Sequence, residues 1–440
     1  MLRETKALAG AAAARPEAAS HAPRPHICFV APHAWPVLSR DASIQVVGGA
    51  EVQMSILARL FAAGGYRVSM ICLDFGQEDR ARIDDVVVHK LFRMEQGIPV
   101  VRFLHPRLTT MWRRLKEVDA DIYYYRSAAM WLGVLAEFCR RHGKRSIYAG
   151  ASDKDFVPGQ GGQIRYARDR WLYRRGLARV DAIVAQNAAQ RADCKRHYNR
   201  DAVVIPSCYE LPEKSASQEK NLVLWVGTIH AGKRPELLLD LAERLPRQRF
   251  VMIGGPGSFD RAFFERIRAR AAALPNVEFT GFLPLAQVEP WFDRARVLVN
   301  TSVYEGMPNV FLQAWARGVP TVATVDVGMP AHRVASDVGG LSREVRLLTE
   351  NRPLWESASK ACRKYFERNH SSSQVLARYG RLFASLCPPD KGGSERSERG
   401  VSGTENQTPR SPSARDPLVR GSAKAEPAHD PLVRGSEAKP

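Results

Sequence analysis

The sequence lacks any long hydrophobic run. No stretch of about eighteen or more apolar residues is free of charge, and a helix needs about 20 such residues to cross a bilayer. The alanine-rich start, LAGAAAARPEAAS, is interrupted by Arg15 and Pro16 and has no continuous apolar core of the kind found in signal peptides. We therefore predict a cytoplasmic chain without a spanning helix.

Cysteine is scarce and scattered. The 440 residues include seven cysteines, and no two of them form a C-x-x-C pair. An odd number of scattered thiols is typical of a reducing compartment, and structural zinc sites use clustered ligands. The cysteines therefore also favour the cytoplasm, and they argue against a zinc site.

Acidic residues are in short supply relative to basic ones. The chain has 46 Asp and Glu against 65 Lys and Arg, a net charge of +19. Residues 388–440 hold nine basic and eight acidic residues, so the excess belongs to the rest of the chain. Residues 160–200 carry ten Lys and Arg against three Asp, and residues 96–116 carry five and no acid. Helix-turn-helix and base-stacking patterns are missing, so we do not expect a nucleic-acid partner.

The chain does contain a repeated alternation of short apolar runs with helical periodicity. This alternation predicts an α/β protein with parallel, doubly wound sheets. It is interrupted once, by the polar stretch YELPEKSASQEK at residues 209–220. We therefore predict two doubly wound domains, at residues 25–208 and 221–352, joined by that linker.

The ends of the chain have a different composition. Residues 1–24 are predicted to be a disordered tail, and residues 353–387 to be helices. Residues 388–440 are rich in Ser, Pro, Gly, Arg and Glu, and they repeat the heptapeptide DPLVRGS. Such a composition cannot bury a core. We predict a second disordered tail there.

One strand–loop–helix–strand unit spans residues 297–327. An apolar run leads into a polar loop at residues 300–309, followed by helical periodicity and a second apolar run. We predict a helix from Pro308 to Arg317, with Asn309 capping its amides and Gly318 ending it. Loops at the carboxyl ends of parallel strands bind ligands, and helix amides attract anions. The loop is therefore a candidate phosphate site.

The sequence EGMPNVFLQAWARGVPTVAT in this unit resembles the donor-site signature of the retaining glycosyltransferases of family 4. That family has the GT-B fold, in which two Rossmann-like domains face a cleft and the last helix crosses back to the first domain. Glu305 matches the first acid of the signature, whereas Gln313 replaces the second, which in the family holds the ribose hydroxyls. The resemblance implies donor contacts from the loop between them, at Gly306, Met307, Pro308 and Asn309.

Further matches follow each predicted strand of the second domain. Lys233 falls on the lysine that contacts the donor diphosphate in the family, while Thr228, after Gly227, stands where an arginine is usual. Arg234 is an alternative base for that missing charge. The resemblance also implies donor contacts from the glycine-rich loop at Gly255 and from the turn at Phe282.

The first domain resembles the family more loosely. A glycine pair at a helix start, Gly48 and Gly49, allows close approach of a phosphate or an acceptor. Arg126 follows a predicted strand at its carboxyl end, near a family histidine, and is either a cleft residue or an ordinary solvated arginine. Asp153 follows the next predicted strand and is a further cleft candidate.

The sequence also contains Asp119-Ala120-Asp121, the metal-binding pattern of a different glycosyltransferase fold. Here the two acids precede a predicted strand, at the opposite end from a ligand site. We interpret the pattern as a coincidence.

Residues 101–118 place Trp112 on an apolar stripe, with Arg113 and Arg114 off it. Two interpretations are open. A basic helix with an exposed tryptophan would rest on anionic lipid headgroups, whereas an ordinary surface helix would turn the same stripe toward the core.

Taken together, the resemblance implies transfer of a sugar from a nucleotide-sugar donor to a hydroxyl of a glycan or lipid-linked acceptor. Retention of configuration, a place in cell-surface polysaccharide or glycolipid synthesis, and chemistry without metal or cofactor are implied as well. Peripheral contact with an anionic inner membrane face corresponds to the lipid interpretation of residues 101–118, not to the resemblance. Two alternatives are a non-catalytic nucleotide-sugar-binding homologue and a sugar-nucleotide epimerase on the same fold.

Overall fold

The computed structural model describes residues 24–41, 48–99, 101–159, 164, 166–210, 219–257 and 261–388. The predicted tails, including the DPLVRGS repeat, lie outside the described residues except for Arg24 and Pro388. Most of the predicted linker, residues 211–218, also lies outside them.

The first sheet has eight strands in the order β3-β4-β2-β1-β5-β6-β7-β8. Every neighbouring pair is parallel except β3 with β4. The central strands are buried on both faces, so their sequences are nearly continuous apolar runs. The strands are β1 (Ile27–Val30), β2 (Val68–Cys72), β3 (Ala81–Ile83), β4 (Val86–Lys90), β5 (Ile122–Arg126), β6 (Arg145–Ala149), β7 (Ala182–Ala185) and β8 (Val203–Val204).

The second sheet has six strands, all parallel, in the order β11-β10-β9-β12-β13-β14. This is the doubly wound dinucleotide-fold order, which opens a crevice beside the first strand at the carboxyl edge. The strands are β9 (Leu222–Val226), β10 (Arg249–Ile253), β11 (Val277–Gly281), β12 (Ala295–Asn300), β13 (Thr321–Ala323) and β14 (Arg333–Val334).

Helices connect the strands in both halves. They are α1 (Trp35–Ser39), α2 (Gly49–Ala63), α3 (Thr109–Val118), α4 (Trp131–His142), α5 (Ala167–Arg179), α6 (Ala188–Tyr198), α7 (Pro235–Arg244), α8 (Arg261–Ala272), α9 (Leu285–Arg294), α10 (Asn309–Ala316), α11 (Val338–Glu350), α12 (Arg352–Asn369) and α13 (Ser372–Leu386). The predicted fold class, two doubly wound parallel sheets, is confirmed.

The antiparallel hairpin of β3 and β4 was not predicted. Its turn places Asp84 and Asp85 in the left-handed region, with φ values of 48° and 62°. Aspartate tolerates that region better than most residues and forms two-residue hairpins. Because the strand before the turn is only three residues long, its alternation is too short to stand out in the sequence.

The last helix returns to the first sheet. The hydroxyl of Tyr379 on α13 lies 3.1 Å from the hydroxyl of Tyr124 on β5, and Phe383 packs edge-on against Phe61 of α2. We call the first sheet with its helices and α13 the first lobe, and the second sheet with α7–α12 the second lobe. Two segments of the chain pass between the lobes, and they lie side by side. The amide of Tyr209 in one segment donates to the carbonyl of His370 in the other at 3.2 Å.

The helix predicted within residues 101–118, with its start at Pro106, begins later in the structure: α3 starts at Thr109, and a separate turn, Phe103–Leu108, precedes it. Trp112 packs edge-on against Phe138, with ring centroids 5.2 Å apart. The core-facing interpretation of this helix is therefore correct, and the expectation of an exposed tryptophan is wrong.

Candidate functional site

Glu305 and Lys233 meet at the carboxyl edge of the second sheet. Glu305 lies in the loop after β12, and Lys233 ends a 3₁₀ turn, Ala231–Lys233, after β9. These strands are parallel neighbours, so their loops emerge side by side. The Lys233 ammonium forms an ion pair with Glu305 Oε1. Glu305 Oε1 also accepts from Ser302 Oγ at 2.6 Å.

Arg234, the alternative base for the missing donor-site arginine, is hydrogen-bonded within its own lobe, and its contact with a donor stays a prediction. Its φ of 45° turns the chain between the 3₁₀ turn and α7, and its guanidinium donates to the carbonyls of Thr301 at 2.7 Å and Ser302 at 3.2 Å. Arg234 therefore stabilises the backbone of the loop that leads to Glu305. Thr228, at the arginine position of the family, is exposed at the end of β9 and carries no charge.

His230 was missed in the sequence and lies in the same turn. Its Nδ1 accepts from the amide of Gly232 at 3.2 Å. Burial lowers the pKa of His230, and the charge of Lys233 lowers it further, while Glu305 opposes both. A neutral imidazole therefore sits beside the ion pair. The sequence signal that could have identified His230 is its position between two predicted donor residues, Thr228 and Lys233.

The other predicted donor residues of the second lobe are also together. The amide of Gly227 donates to the carbonyl of Ile253 at 3.0 Å, and a Cβ on Gly255 would lie 3.0 Å from the Cβ of Phe282. A Cβ on Gly254 would lie 1.9 Å from the carbonyl oxygen of Gly227. The loops after β9, β10 and β11 therefore approach closely enough to require glycine.

Gly306 touches the first lobe. A Cβ at this position would lie 3.0 Å from the carbonyl oxygen of Ala151 and 3.3 Å from the side-chain amides of Gln186 and Gln190. We call the space bounded by these residues and the Glu305–Lys233 pair the cleft. Both lobes contribute to it.

Asn309 does not cap its own helix as predicted. Pro308 is the extended residue before α10, and Met307 before it is half-buried. The side chain of Asn309 donates to the carbonyl of Gly49 at 3.0 Å and accepts from Gln53 Nε2 at 2.9 Å. This asparagine joins the lobes, because a partner across the cleft outcompetes a local amide.

The predicted glycine pair lies on the opposite side of this contact. Helix α2 begins at Gly49, and a Cβ on Gly48 would lie 2.0 Å from Glu51 Oε2. The Glu51 carboxylate thus folds back over Gly48. The residues before it, Val46 and Val47, lie outside the described part of the chain.

Gln313 is buried and hydrogen-bonded within the protein. The residue is 3% exposed, and its Nε2 donates to Glu289 Oε1 at 2.9 Å and lies 3.4 Å from the hydroxyl of Tyr209. Glu289 also pairs with Arg317. Glu289 carried no sequence motif, so only the packing of α9 on α10 reveals it. Contact of Gln313 with a ribose stays a prediction.

Asp153 lies on the first-lobe side of the cleft, in the 3₁₀ turn Asp153–Phe156. Its Oδ1 accepts from Gln190 Nε2 at 2.8 Å. Burial raises the pKa of Asp153, and the charges of Asp193 and Glu305 act in the same direction, while hydrogen bonds from Gln190 and Asn187 oppose them. The charges of Asp153, from the first lobe, and Glu305, from the second, therefore interact across the cleft.

Lys154 was not predicted as a cleft residue. Its ammonium lies 3.2 Å from the ring centroid of Tyr304, across the space between the lobes. Such a cation–π contact stabilises by about 0.5–2 kcal/mol. Lys154 and Tyr304 therefore help to hold the lobes together in this structure.

Arg126 is buried, so the interpretation as a solvated arginine is wrong. The residue is 5% exposed, and its Nη2 donates to Ser207 Oγ at 3.0 Å. Ser207 Oγ in turn donates to Gln186 Oε1 at 3.0 Å. Among the described residues, Arg126 Nε has no hydrogen-bond partner. Arg126 thus underlies the cleft, and its contact with a ligand stays a prediction.

The Asp119-Ala120-Asp121 pattern lies at the amino edge of the first sheet. Asp119 pairs with Lys144 at 2.8 Å, and Asp121 accepts from the amide of His26 at 2.7 Å. Both acids have structural partners there, as the coincidental interpretation requires. No group of three or more His, Cys, Asp or Glu with metal-site geometry occurs among the described residues.

No helix within the described ranges is both long and apolar enough to cross a membrane.

Two families match the chain in succession. Residues 47–211 match Glycosyltransferase Family 4, and residues 220–354 match Glycosyl transferases group 1. Among curated relatives, the D-inositol 3-phosphate glycosyltransferase of Mycobacteroides abscessus is 27% identical over 189 residues, which cover 39% of this chain and 42% of the relative. The sulfoquinovosyl transferase of Arabidopsis thaliana is 33% identical over 112 residues, 26% of this chain and 21% of the relative. The chain thus spans less than half the length of these relatives.

Solved structures share the fold over most of the chain. The sucrose-phosphate synthase of Thermosynechococcus elongatus has a TM-score of 0.67 at 17% identity, covering 82% of this chain and 99% of its own. Anabaena HepE, solved with UDP and glucose, has a TM-score of 0.61 at 15% identity, with the same coverages. The two family matches, lying one on each lobe of a shared GT-B fold, show that this chain belongs to glycosyltransferase family 4.

Proposed function

We propose that this protein transfers a sugar from a nucleotide-sugar donor to a hydroxyl of a glycan or lipid-linked acceptor, with retention of anomeric configuration. The observation that carries the proposal is the Glu305–Lys233 ion pair. The two residues are 72 positions apart, yet they meet at the carboxyl edge of the second sheet, facing the first lobe. Open α/β sheets bind their ligands at such an edge.

The two side chains suit the two charges of the reaction. As the glycosidic bond to the nucleotide breaks, negative charge grows on the diphosphate and positive charge on the sugar. Lys233 and the backbone amides at the start of α10 would stabilise the diphosphate, and Glu305 would hold the sugar hydroxyls and support the oxocarbenium-like centre. We expect no metal or cofactor in this scheme.

The lobes would exclude water from the reacting centre. Gly306 already lies against Ala151, and Asn309 is hydrogen-bonded to Gly49. A dry cleft strengthens electrostatic stabilisation and protects the activated sugar from hydrolysis. The UDP and glucose of the HepE complex, and the transferase names of the curated relatives, support a nucleotide-sugar donor.

A non-catalytic donor-binding homologue is the second candidate. It is favoured by the uncharged Thr228 and by Gln313, whose amide is already bonded to Glu289. Such a protein would bind nucleotide sugars without transferring the sugar. Turnover therefore distinguishes the two.

The test is a screen of nucleotide sugars for thermal stabilisation, using the wild type, Glu305→Ala and Lys233→Ala. One nucleotide sugar should stabilise the wild type. Removing a charged hydrogen bond costs about 1.5–3 kcal/mol, so each substitution should weaken binding by about 10-fold to 100-fold. Lys195→Ala and Asp201→Ala, which break an exposed ion pair, are the matched controls and should leave the shift unchanged.

The stabilising donor is then incubated with candidate acceptors, and the anomeric configuration of the product is read by NMR. A retained configuration supports the proposal. Donor binding without turnover for any acceptor would favour the non-catalytic homologue. Unaltered donor binding in both cleft variants would overturn the site.

A further inference from the structure

Exposed apolar side chains are concentrated on two segments of the first lobe. Twelve large hydrophobic residues are exposed in the described part of the chain, and six of them lie on residues 94–104 and 166–171. Their exposed fractions range from 47% to 70%. Dispersed apolar residues on a surface are ordinary, whereas a cluster marks an interaction site. The six are Met94, Ile98, Val101, Leu104, Tyr166 and Trp171.

The two segments are neighbours in the fold. The guanidinium carbon of Arg168, near the start of α5, lies 3.6 Å from the ring centroid of Phe103. The opposite side of α5 is packed tightly on α4, where a Cβ on Gly133 would lie 2.3 Å from the carbonyl oxygen of Leu172. Helix α5 therefore turns Trp171 outward, on the side of the helix that α4 leaves uncovered.

The same surface is strongly basic. We call residues 93–107 and 166–175 the basic–apolar face; its sequence holds seven arginines against Glu95 and Asp169. Arg93 pairs with Asp74, and Arg168 with Asp169. Four of the arginines have no carboxylate within ion-pair distance among the described residues, namely Arg102, Arg107, Arg174 and Arg175.

The positive charges are also close to one another. Burial lowers the pKa of Arg107, and the charges of Arg102 and Arg168 lower it further. Arg175 lies over the ring of Trp171, 5.3 Å from its centroid. Like charges that are held together repel, so this face attracts a polyanionic surface.

We propose that the basic–apolar face docks on a lipid bilayer with anionic headgroups. Arginine pairs with lipid phosphates, tryptophan and tyrosine favour the headgroup level, and aliphatic side chains enter the acyl boundary. A nucleic acid would satisfy the arginines but would leave Ile98, Val101 and Leu104 in water. The joint presence of both kinds of side chain therefore selects the bilayer.

This surface differs from the helix that the sequence first suggested. Trp112 of α3 is packed inward, and Arg114 pairs with Asp79 and Glu117. The docking surface lies instead on the segment before α3 and on α5. The sequence showed the basic excess of both segments, but its lipid interpretation concerned the stripe that carries Trp112.

The face also borders a groove that approaches the cleft. A groove of about 1140 Å³ is lined by Arg170, Trp171 and Arg174 and extends to Asp155. Asp155 accepts from the amide of Ala151 at 2.7 Å, and Ala151 borders Gly306. A lipid-linked acceptor on the bilayer would thus lie on the side of the first lobe whose groove ends near the cleft. This link rests on the proposed function, whereas the docking itself does not.

The test is co-sedimentation of the full chain with vesicles of phosphatidylcholine, with and without phosphatidylglycerol. We expect binding only to the anionic vesicles, weakened by added salt. Replacing Arg174 and Arg175 by alanine should lower the partition coefficient by about fivefold for each arginine. Replacing Ile98 and Leu104 by serine should lower it by about tenfold, and this loss should persist across salt concentrations.

The matched control carries Arg352→Ala and Arg363→Ala, which remove two exposed arginines of α12. It should bind vesicles like the wild type. Equal losses in the control and the face variants would overturn the proposal, because the attraction would then reflect net charge alone. Binding to duplex DNA with no binding to anionic vesicles would overturn it as well.

The donor-induced thermal shift is measured on the same variants. It should be unchanged in all of them, so failure of membrane docking and failure of the transferase proposal are distinguishable.

Discussion

Glu305 is oriented by donors from its own lobe. Its Oε1 accepts from Ser302 Oγ at 2.6 Å and Asn300 Nδ2 at 3.4 Å, in addition to its ion pair with Lys233. A carboxylate fixed by several donors needs little reorganisation during the reaction, which is the basis of electrostatic preorganisation. An incoming diphosphate would take over Lys233, leaving the other two donors to hold Glu305.

Gly306→Ala tests how closely the lobes must approach. The added Cβ would lie 3.0 Å from the carbonyl oxygen of Ala151, so the loop or the facing lobe must move by a few tenths of an ångström. Misplacement of about 1 Å can cost about 100-fold in rate, and we therefore expect about a tenfold loss of transfer rate. The rate is measured with the donor found in the thermal screen.

Gly380→Ala, on α13, is the matched control for that substitution, because this glycine does not border the cleft. Its Cβ would lie 3.5 Å from the hydroxyl of Tyr66, an ordinary contact. We expect an unchanged rate. If Gly306→Ala also leaves the rate unchanged, close approach of the loop to Ala151 is not required for transfer.

At the scale of elements, α9 and α10 are joined through Gln313, the residue that stands at the position of the family's second acid. Gln313 on α10 donates to Glu289 on α9, and Glu289 is held by Tyr209 and Arg317 as well. A glutamate at position 313 would face another carboxylate. The amide is therefore the side chain that this arrangement accommodates.

Gln313→Glu should destabilise the protein near neutral pH, although it restores the family residue. Two facing carboxylates raise the pKa of one of them, and losing a buried donor costs about 1–3 kcal/mol. Urea unfolding measures the loss of free energy of unfolding. Adding Glu289→Gln should recover most of it, since the double variant again pairs an amide with a carboxylate.

A single Gln313→Glu variant that keeps its stability and binds donor more tightly would contradict this prediction. In that case the new carboxylate has turned toward the cleft, as the second acid of the family signature does.

At the scale of the whole molecule, His370 lies where the chain crosses between the lobes. It is 1% exposed, and its Nδ1 lies 2.7 Å from the carbonyl oxygen of Ser207. Burial lowers the pKa of His370 from 6.5 to about 4, opposed by the hydrogen bond to Ser207. Among the described residues its Nε2 has no hydrogen-bond partner, so protonation would place an unpaired charge in the core.

The free energy of unfolding should therefore fall as the pH falls below the ordinary histidine value. Between the two pKa values the unfolded chain binds a proton that the folded chain excludes, so stability is retained above pH 6.5 and is lost toward about pH 4. We expect His370 to contribute a loss of about 2 kcal/mol between about pH 7 and about pH 5. Urea unfolding at both pH values measures it.

His370→Asn should reduce this pH dependence, whereas His33→Asn, at an exposed position, should not. Part of the dependence should remain, because burial also lowers the pKa of His26 to about 4. If the stability of His370→Asn depends on pH as strongly as that of the wild type, His370 does not contribute to the dependence. The crossing between the lobes would then open and expose the imidazole to water before the imidazole takes up a proton.

The sequence by itself determined the two parallel sheets, and its resemblance to the family assigned Glu305 and Lys233 to one donor site. Apolar runs alternating with helical periodicity define a doubly wound sheet, and parallel strands deliver their following loops to one edge. The loops after β9 and β12, which hold Lys233 and Glu305, are therefore brought side by side by the topology. No knowledge of side-chain packing is needed for that step.

Only the tertiary structure decided which partners the other side chains take. Asn309 bonds Gly49, Gln313 bonds Glu289, and Trp112 packs inward on Phe138. Periodicity reports which face of an element is buried, whereas these choices depend on what another element presents to that face. The basic–apolar face follows the same rule: the sequence supplied its arginines, and the packing of α5 on α4 decided which side chains remain in water.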